Sequence, residues 1–161
     1  MIGLISRLLA RPEPVLSEAG ARDAAALSAL HAVAFRRGWS EHEFERLLLE
    51  ANVIAHRAMI GRSLAGFIVS RLAAGEAEIL SVAVAPARRG RGVARKLLDL
   101  HLRRVAGLGA TAVFLEVDED NAAARRLYAR AGFRDVGRRP AYYGRGTEKQ
   151  SNALVLRRDL A

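Results

Sequence analysis

The run Ser81-Val-Ala-Val-Ala-Pro-Ala-Arg-Arg-Gly-Arg-Gly-Val-Ala-Arg-Lys-Leu-Leu98 passes from an apolar strand pattern through an Arg/Gly turn directly into a helical pattern. That succession binds anions. Gly90 and Gly92 let the backbone approach a ligand closely, consecutive N–H groups point inward, and the helix N-terminus adds a partial positive charge of about half a unit. Arg88, Arg89 and Arg91 bring full charges to the same place. A nucleotide-hydrolysing loop would need Gly-Lys-Ser/Thr, and here Val93 follows Gly92. A dinucleotide loop would need a third glycine where Arg95 stands, and a strand near the start of a parallel sheet rather than one that ends a meander. Neither pattern fits.

Glu116 is a charged residue in the otherwise apolar strand run Val113-Phe-Leu-Glu-Val117. It must face a cavity, a partner or solvent, because a carboxylate buried alone is costly. A place in a cavity and an ion pair with one of the many arginines both satisfy that requirement. Tyr128 lies on the helix that leaves the same strand, so its hydroxyl reaches a site beside Glu116 or caps the edge of the core. With Asp118, Glu119 and Asp120, Glu116 forms an acidic block suited to receiving a cationic amine, or simply a strand-end loop before a helix N-cap. The chain has no cysteine, which excludes a disulfide scaffold, a thiolate zinc site and a cysteine nucleophile. His31, His42, His56 and His101 lack metal-ligand spacing, so no metal is expected. No Gly-x-Ser-x-Gly elbow supports serine acyl chemistry.

The elements that hold these residues follow from periodicity. Strands are expected at 14–19, 52–59, 64–72, 78–84, 111–117, 134–143 and 153–158. Gly61-Arg62 and Ala74-Gly75 turn the second into the third and the third into the fourth. Helices are expected at 22–36, at 41–50 behind a Ser40/Glu43 capping box, at 92–106 closed by Gly107 and Gly109, and at 121–130. Asn121 caps the last of these and Gly132 ends it in the left-handed conformation. The order β-α-α-β-β-β-α-β-α-β-β suits a mixed α/β sheet, mostly antiparallel, of six to seven strands flanked by four helices.

A chain of 161 residues makes one domain, here 14–161 behind an N-terminal extension of 1–13. With 51% hydrophobic residues it has enough apolar surface to fold, which excludes intrinsic disorder. No apolar run approaches the roughly 18 residues of a membrane span. The opening segment carries Arg7 within its apolar run and lacks a small-x-small cleavage site, so neither a signal peptide nor a membrane partner is expected and a cytoplasmic setting fits. The net charge is +9, unevenly spread. Residues 1–87 are neutral, 88–104 carry +6, 105–124 carry −4 and 125–139 carry +5. Two basic blocks flank an acidic one. A basic nucleic-acid-binding module is the reading from a different class, but aromatics that could stack on bases make up only 6% and the basic residues concentrate around one loop and helix start rather than interleaving with them. No specific nucleic acid is therefore expected.

Arg89-x-x-Gly92-x-Ala94 after Val-Ala-Val-Ala-Pro, then Leu115-Glu-Val117, then Asn121-x-x-Ala124-x-x-x-Tyr128-x-x-x-Gly132-Phe133 resemble, in that order, the GNAT superfamily of N-acetyltransferases. The likeness is strongest over 78–143. Trp39-Ser40, Leu115-Glu-Val117, Asn121 to Ala124 and Tyr142-Tyr143 are most like the ribosomal-protein alanine N-acetyltransferases of the RimI type. The resemblance implies the GNAT fold, acetyl-CoA as cosubstrate and a protein N-terminus as acceptor, with a small-subunit ribosomal protein as the implied target. A small amine, an aminoglycoside or a lysine side chain is the alternative acceptor. It also implies Glu116 as base and Tyr128 as acid. Val82, Ala83 and Val84 would pair with the pantetheine arm, and Arg88, Arg89, Gly90, Arg91, Gly92, Val93 and Ala94 would cradle the pyrophosphate. Asn121 would contact the coenzyme or only cap its helix. Trp39, Asp118, Tyr142 and Tyr143 would meet the acceptor. The chain departs from the family where a Glu-Asp pair often precedes the last strand, since it has Ser151-Asn152, and no proline follows Tyr143.

Overall fold

The computed structural model describes residues 11–143 and 150–160, with 141–143 described by backbone alone. Most of the expected extension 1–13 lies outside these residues, as do the side chains of Tyr142 and Tyr143. Seven strands form one sheet in the order β1-β2-β3-β4-β5-β7-β6. They are β1 (Val15–Glu18), β2 (Val53–Ile60), β3 (Ser63–Ala73), β4 (Glu76–Val84), β5 (Ala112–Asp118), β6 (Arg134–Tyr143) and β7 (Ser151–Asp159). Four helices cover it: α1 (Ala24–Ala34), α2 (Glu41–Leu48), α3 (Val93–Gly107) and α4 (Ala122–Arg130). β4 and β5 pair in parallel and every other neighbouring pair is antiparallel. The mixed sheet read from the sequence is the sheet that forms.

Sequence chemistry accounts for the boundaries. Ser40 Oγ accepts the Glu43 N–H at 3.1 Å while the Glu43 carboxylate accepts the Ser40 N–H at 2.7 Å, which starts α2 as the capping box requires. Gly109 and Gly132, at φ +96° and +87°, stop α3 and α4. Ala110 N–H bonds back to the Val105 carbonyl, and Phe133 N–H to that of Tyr128, each at 3.0 Å. Gly107 is the last residue of α3 rather than its stop.

The first helix is shorter than its periodicity suggests. A 3₁₀ turn, Ala21–Asp23, precedes it, and Phe35 leaves it in an extended conformation. Both ends are fixed by contacts distant in sequence. Asp23 is buried, accepts the Gly20 N–H and pairs with Arg57 of β2. Beyond Phe35 the chain folds back on α1 so tightly that a Cβ on Gly38 would lie 2.9 Å from Ala32 Cα. There the Trp39 N–H donates to His31 Nδ1 at 3.0 Å.

Each sheet face has its own core. Ile68, Leu97, Leu98, Val105, Val113, Leu115 and Leu156 pack beneath α3 and α4, and Leu27, Phe44, Phe67, Val69 and Ala83 pack beneath α1 and α2. Gly66 of β3 is needed for the first of these. A Cβ there would meet the Ala83 carbonyl oxygen at 2.8 Å and Leu97 Cδ1 at 3.1 Å, so α3 sits this close only over a glycine.

Candidate active site

The ladder between β4 and β5 runs only from Glu76↔Ala112 to Ile79↔Leu115, after which the two strands part. A bulge coincides with the parting. Val69 of β3 faces Ser81, the next residue Ser70 faces Ile79, and Leu80 is left as the extra residue. Such an insertion bends a strand and re-aims the side chains beyond it. The opening is a cleft of about 870 Å³, walled by Ile79 to Val84 on one side and Leu115 to Asp118 on the other. Backbone N–H and C=O groups along the open edges have no ladder across the gap, and a ligand carrying amides could supply one.

At the mouth of the cleft, β4 runs through Pro86–Arg88 into the Arg/Gly loop and α3. Gly90 and Gly92 have φ +71° and +79°, and a Cβ on either would touch nothing. Their need for glycine is therefore conformational, since the loop takes a left-handed backbone that side-chain-bearing residues rarely adopt. Gly92 is the N-cap of α3 and has no side chain to occupy the first N–H groups, which are left for an anion. Arg89 lines the cleft and donates Nε to the Val84 carbonyl at 3.2 Å. Val93 is buried beneath the sheet, so its contribution to a bound anion would come from its N–H.

Glu116 and Tyr128 both line this cleft. One carboxylate oxygen of Glu116 forms an ion pair with Arg139 of β6 at 3.0 Å, so the ion pair and the cavity position occur together. Tyr128 is 7% exposed and packs edge-on against Phe133 at 5.6 Å, so it too is at once core and site. Asp118 also lines the cleft, and its Oδ1 accepts the Asp120 N–H at 2.9 Å. Asn121 borders the cleft while its Oδ1 caps α4 through the Ala124 N–H at 3.1 Å. The acidic block is divided in its use. Glu119 is taken up by Arg138 at 2.6 Å and by Asn152 Nδ2 at 2.7 Å, and its carboxyl is held below the usual range, the bonds from Asn152 and Arg138 outweighing the opposing effect of desolvation.

Trp39 is not brought to the cleft. It stacks on His31 with ring centroids 4.6 Å apart and borders a second hollow of about 330 Å³ with Leu47, Arg71 and Leu80. The bulge residue Leu80 lies in both linings. Tyr143 is placed by its backbone opposite Ser151, which is buried at the cleft. Sequence reasoning placed the backbone of Ile79 to Val84 at the site but missed the side chains of Ser81 and Ser151 and the segment Ala34 to Arg36 as parts of the lining. Ser81 is a small polar residue in an apolar strand pattern, a faint signal, and Ser151 lies among polar residues just before the strand expected at 153–158. The segment is exposed to the cleft only because α1 ends early.

The acetyltransferase (GNAT) family model matches residues 24–133, which include the whole of the β4-loop-α3 unit and the strand and helix that carry Glu116 and Tyr128. The chain belongs to the GNAT family. Among individual GNAT proteins, it is 36% identical to the N-alpha-acetyltransferase RimI of Mycobacterium tuberculosis over 125 residues, 75% of each chain. It is 30% identical to the ribosomal protein bS18-alanine N-acetyltransferase of Haemophilus ducreyi over 90 residues, 56% of this chain and 62% of that one. The chain spans 22% and 62% of the lengths of the first curated relatives it matches. The crystal structure of the ribosomal-protein-S18-alanine N-acetyltransferase from Escherichia coli superposes with a TM-score of 0.85 at 24% identity, covering 92% of this chain and 94% of that one. The splayed strands are thus the GNAT fold, in agreement with the sequence motifs.

Proposed function

We propose that the chain transfers the acetyl group of acetyl-CoA to the N-terminal α-amine of a protein. The observation that carries this reading is the parted β4–β5 edge, with an anion-binding loop at one end and Glu116 and Tyr128 in its walls. The edge from Val82 to Val84 would pair with the amides of the pantetheine arm, and Arg88 to Ala94 would hold the pyrophosphate. An ammonium has no lone pair, so Glu116 accepts its proton, directly or through a water. The amine nitrogen then bonds to the thioester carbonyl carbon, and a β4 N–H near Val82 or Val84 stabilises the oxyanion. As the C–S bond breaks, the Tyr128 hydroxyl gives its proton to the departing thiolate, and the second proton of the acylated nitrogen, by way of water, restores the phenol and leaves a neutral amide. Asp118, Tyr142 and Tyr143 are assigned to the acceptor side, and Trp39, which borders the neighbouring hollow, is not.

The names of the Mycobacterium and Haemophilus relatives support an α-amine acceptor, and the second supports a small-subunit ribosomal protein as the target to try first. The reaction is then cytoplasmic, carried out by residues 14–161. Titration calorimetry with acetyl-CoA should give a dissociation constant below about 1 mM. Incubation with acetyl-CoA and a peptide beginning with alanine should add one acetyl group at the α-amine. Absence of coenzyme binding would overturn the enzyme reading, and acetylation of lysine side chains alone would overturn the acceptor.

A further inference from the structure

The Ser81 hydroxyl oxygen is buried in the cleft wall and has no hydrogen-bond partner among the described residues. Native folds rarely retain such a group without a use for it. Its direction is set by the bulge. Ile79 packs in the core beneath α3 and α4, and simple alternation would turn Ser81 to that same face. The extra residue Leu80 reverses this, so Ser81 pairs with Val69 on the face of α1 and α2 while Val82 and Val84 take the other. Glu116 lies between Leu115 and Val117, which both pack beneath α3 and α4, so it too faces the α1 and α2 side. Ser81 and Glu116 therefore border the cleft from opposite strands on one face of the sheet.

We infer that Ser81 positions the acceptor by donating its hydroxyl hydrogen to the first peptide carbonyl of the incoming N-terminus. The inference rests on the functional reading above and names what selects an α-amine. An α-amine has a carbonyl two bonds away and a lysine side-chain amine has none. Glu116, Asp118 and Asp120 in the lining are carboxylates, which when ionised accept only, so the carbonyl needs a donor from elsewhere. Ser81 is a neutral donor on the correct face, and folding has left it unpaired.

Steady-state kinetics on Ser81→Ala and Ser81→Thr, with a peptide beginning with alanine and with its analogue carrying CH₂ in place of the first C=O, tests the assignment. For the ordinary peptide, Ser81→Ala should raise the peptide KM about 5- to 10-fold, as expected for one lost hydrogen bond. The KM for acetyl-CoA should stay within twofold, and Ser81→Thr should retain the wild-type peptide KM. With the analogue, wild type and Ser81→Ala should be alike, because the group Ser81 serves is gone. The ligand-free Ser81→Ala protein should melt no lower than wild type, since it loses an unpaired buried hydroxyl rather than a contact. An unchanged peptide KM, an equal rise in both KM values, a ratio that persists with the analogue or a lower Tm would each overturn the inference. A wild-type protein that acetylates no amine would overturn the functional reading and this inference together, whereas Ser81→Ala with normal kinetics overturns the inference alone.

Discussion

Glu116 shows how one residue can satisfy two readings of its sequence context. A carboxylate in an apolar strand had to find a cavity or a cation, and it has both, lining the cleft while it pairs with Arg139. The sequence could not tell these apart because Arg139 lies on β6, which reaches β5 only through β7. If Glu116 is the base, Glu116→Gln should reduce kcat by about 10²-fold or more while leaving the KM for acetyl-CoA within a few-fold. Tyr128→Phe should likewise lower kcat more than coenzyme binding. Turnover retained by both variants with a competent peptide would remove them from the chemistry. Asn121 was equally ambiguous, and its capping bond to Ala124 supplies a structural use whatever else its amide touches.

Among the elements, those with local signals were legible: the capping box of α2, the glycine stops of α3 and α4, and the hairpins at Gly61-Arg62 and Ala74-Gly75. What could not be read were features fixed by contacts far along the chain. The early end of α1 depends on Trp39 meeting His31, and the Leu80 bulge depends on which core each side of β4 joins. Gly66 belongs to this second kind, since an isolated glycine in a strand pattern gives no hint that α3 lies against it. Gly66→Ala should destabilise the fold by about 1–3 kcal/mol through overpacking, because one of the obstructing atoms is a backbone oxygen that cannot swing aside. Chemical denaturation would measure it, and a midpoint unchanged from wild type would show that α3 can shift without cost.

At the scale of the whole molecule, the partition of charge is more informative than the total. The basic block from 88 to 104 begins at the anion-binding loop, and acids from the block after it line the cleft it leads to, an arrangement suited to a polyanionic donor and a cationic acceptor. A second whole-molecule property comes from histidines that showed no pattern in sequence. His56 and His101 meet through their Nδ1 atoms at 2.8 Å, His101 Nε2 lies 2.6 Å from Ser70 Oγ, and all three residues are buried. Burial, reinforced by neighbouring His56, pushes the His101 pKa down from 6.5 to about 3. Burial also lowers those of His31 and His56. The unfolded chain therefore binds protons that the folded one refuses, so stability is intact above about pH 6.5 and falls as pH drops toward 3. His101 alone should cost roughly 1.4 kcal/mol per pH unit within that window. Melting temperatures at pH 7.5, 6 and 5 should decline steadily, and His101→Asn should flatten the decline. An equally steep decline in that variant would assign the acid sensitivity to other groups.

The parted strands also bear on how tightly the ligand-free protein holds together. A sheet that stopped pairing halfway along its central strands has forgone hydrogen bonds that seven continuous strands would have made, and its two halves meet through the four register positions from Glu76 to Ile79 and the helices laid over them. The two sides of the sheet still share one buried core beneath α3 and α4, so the parted edges are a local gap in the ladder within a continuous core. A donor whose amides paired with the open edges would break no ladder on entry and would complete one instead. Occupancy of that kind would add to folding stability by mass action, so the melting temperature should rise with donor concentration.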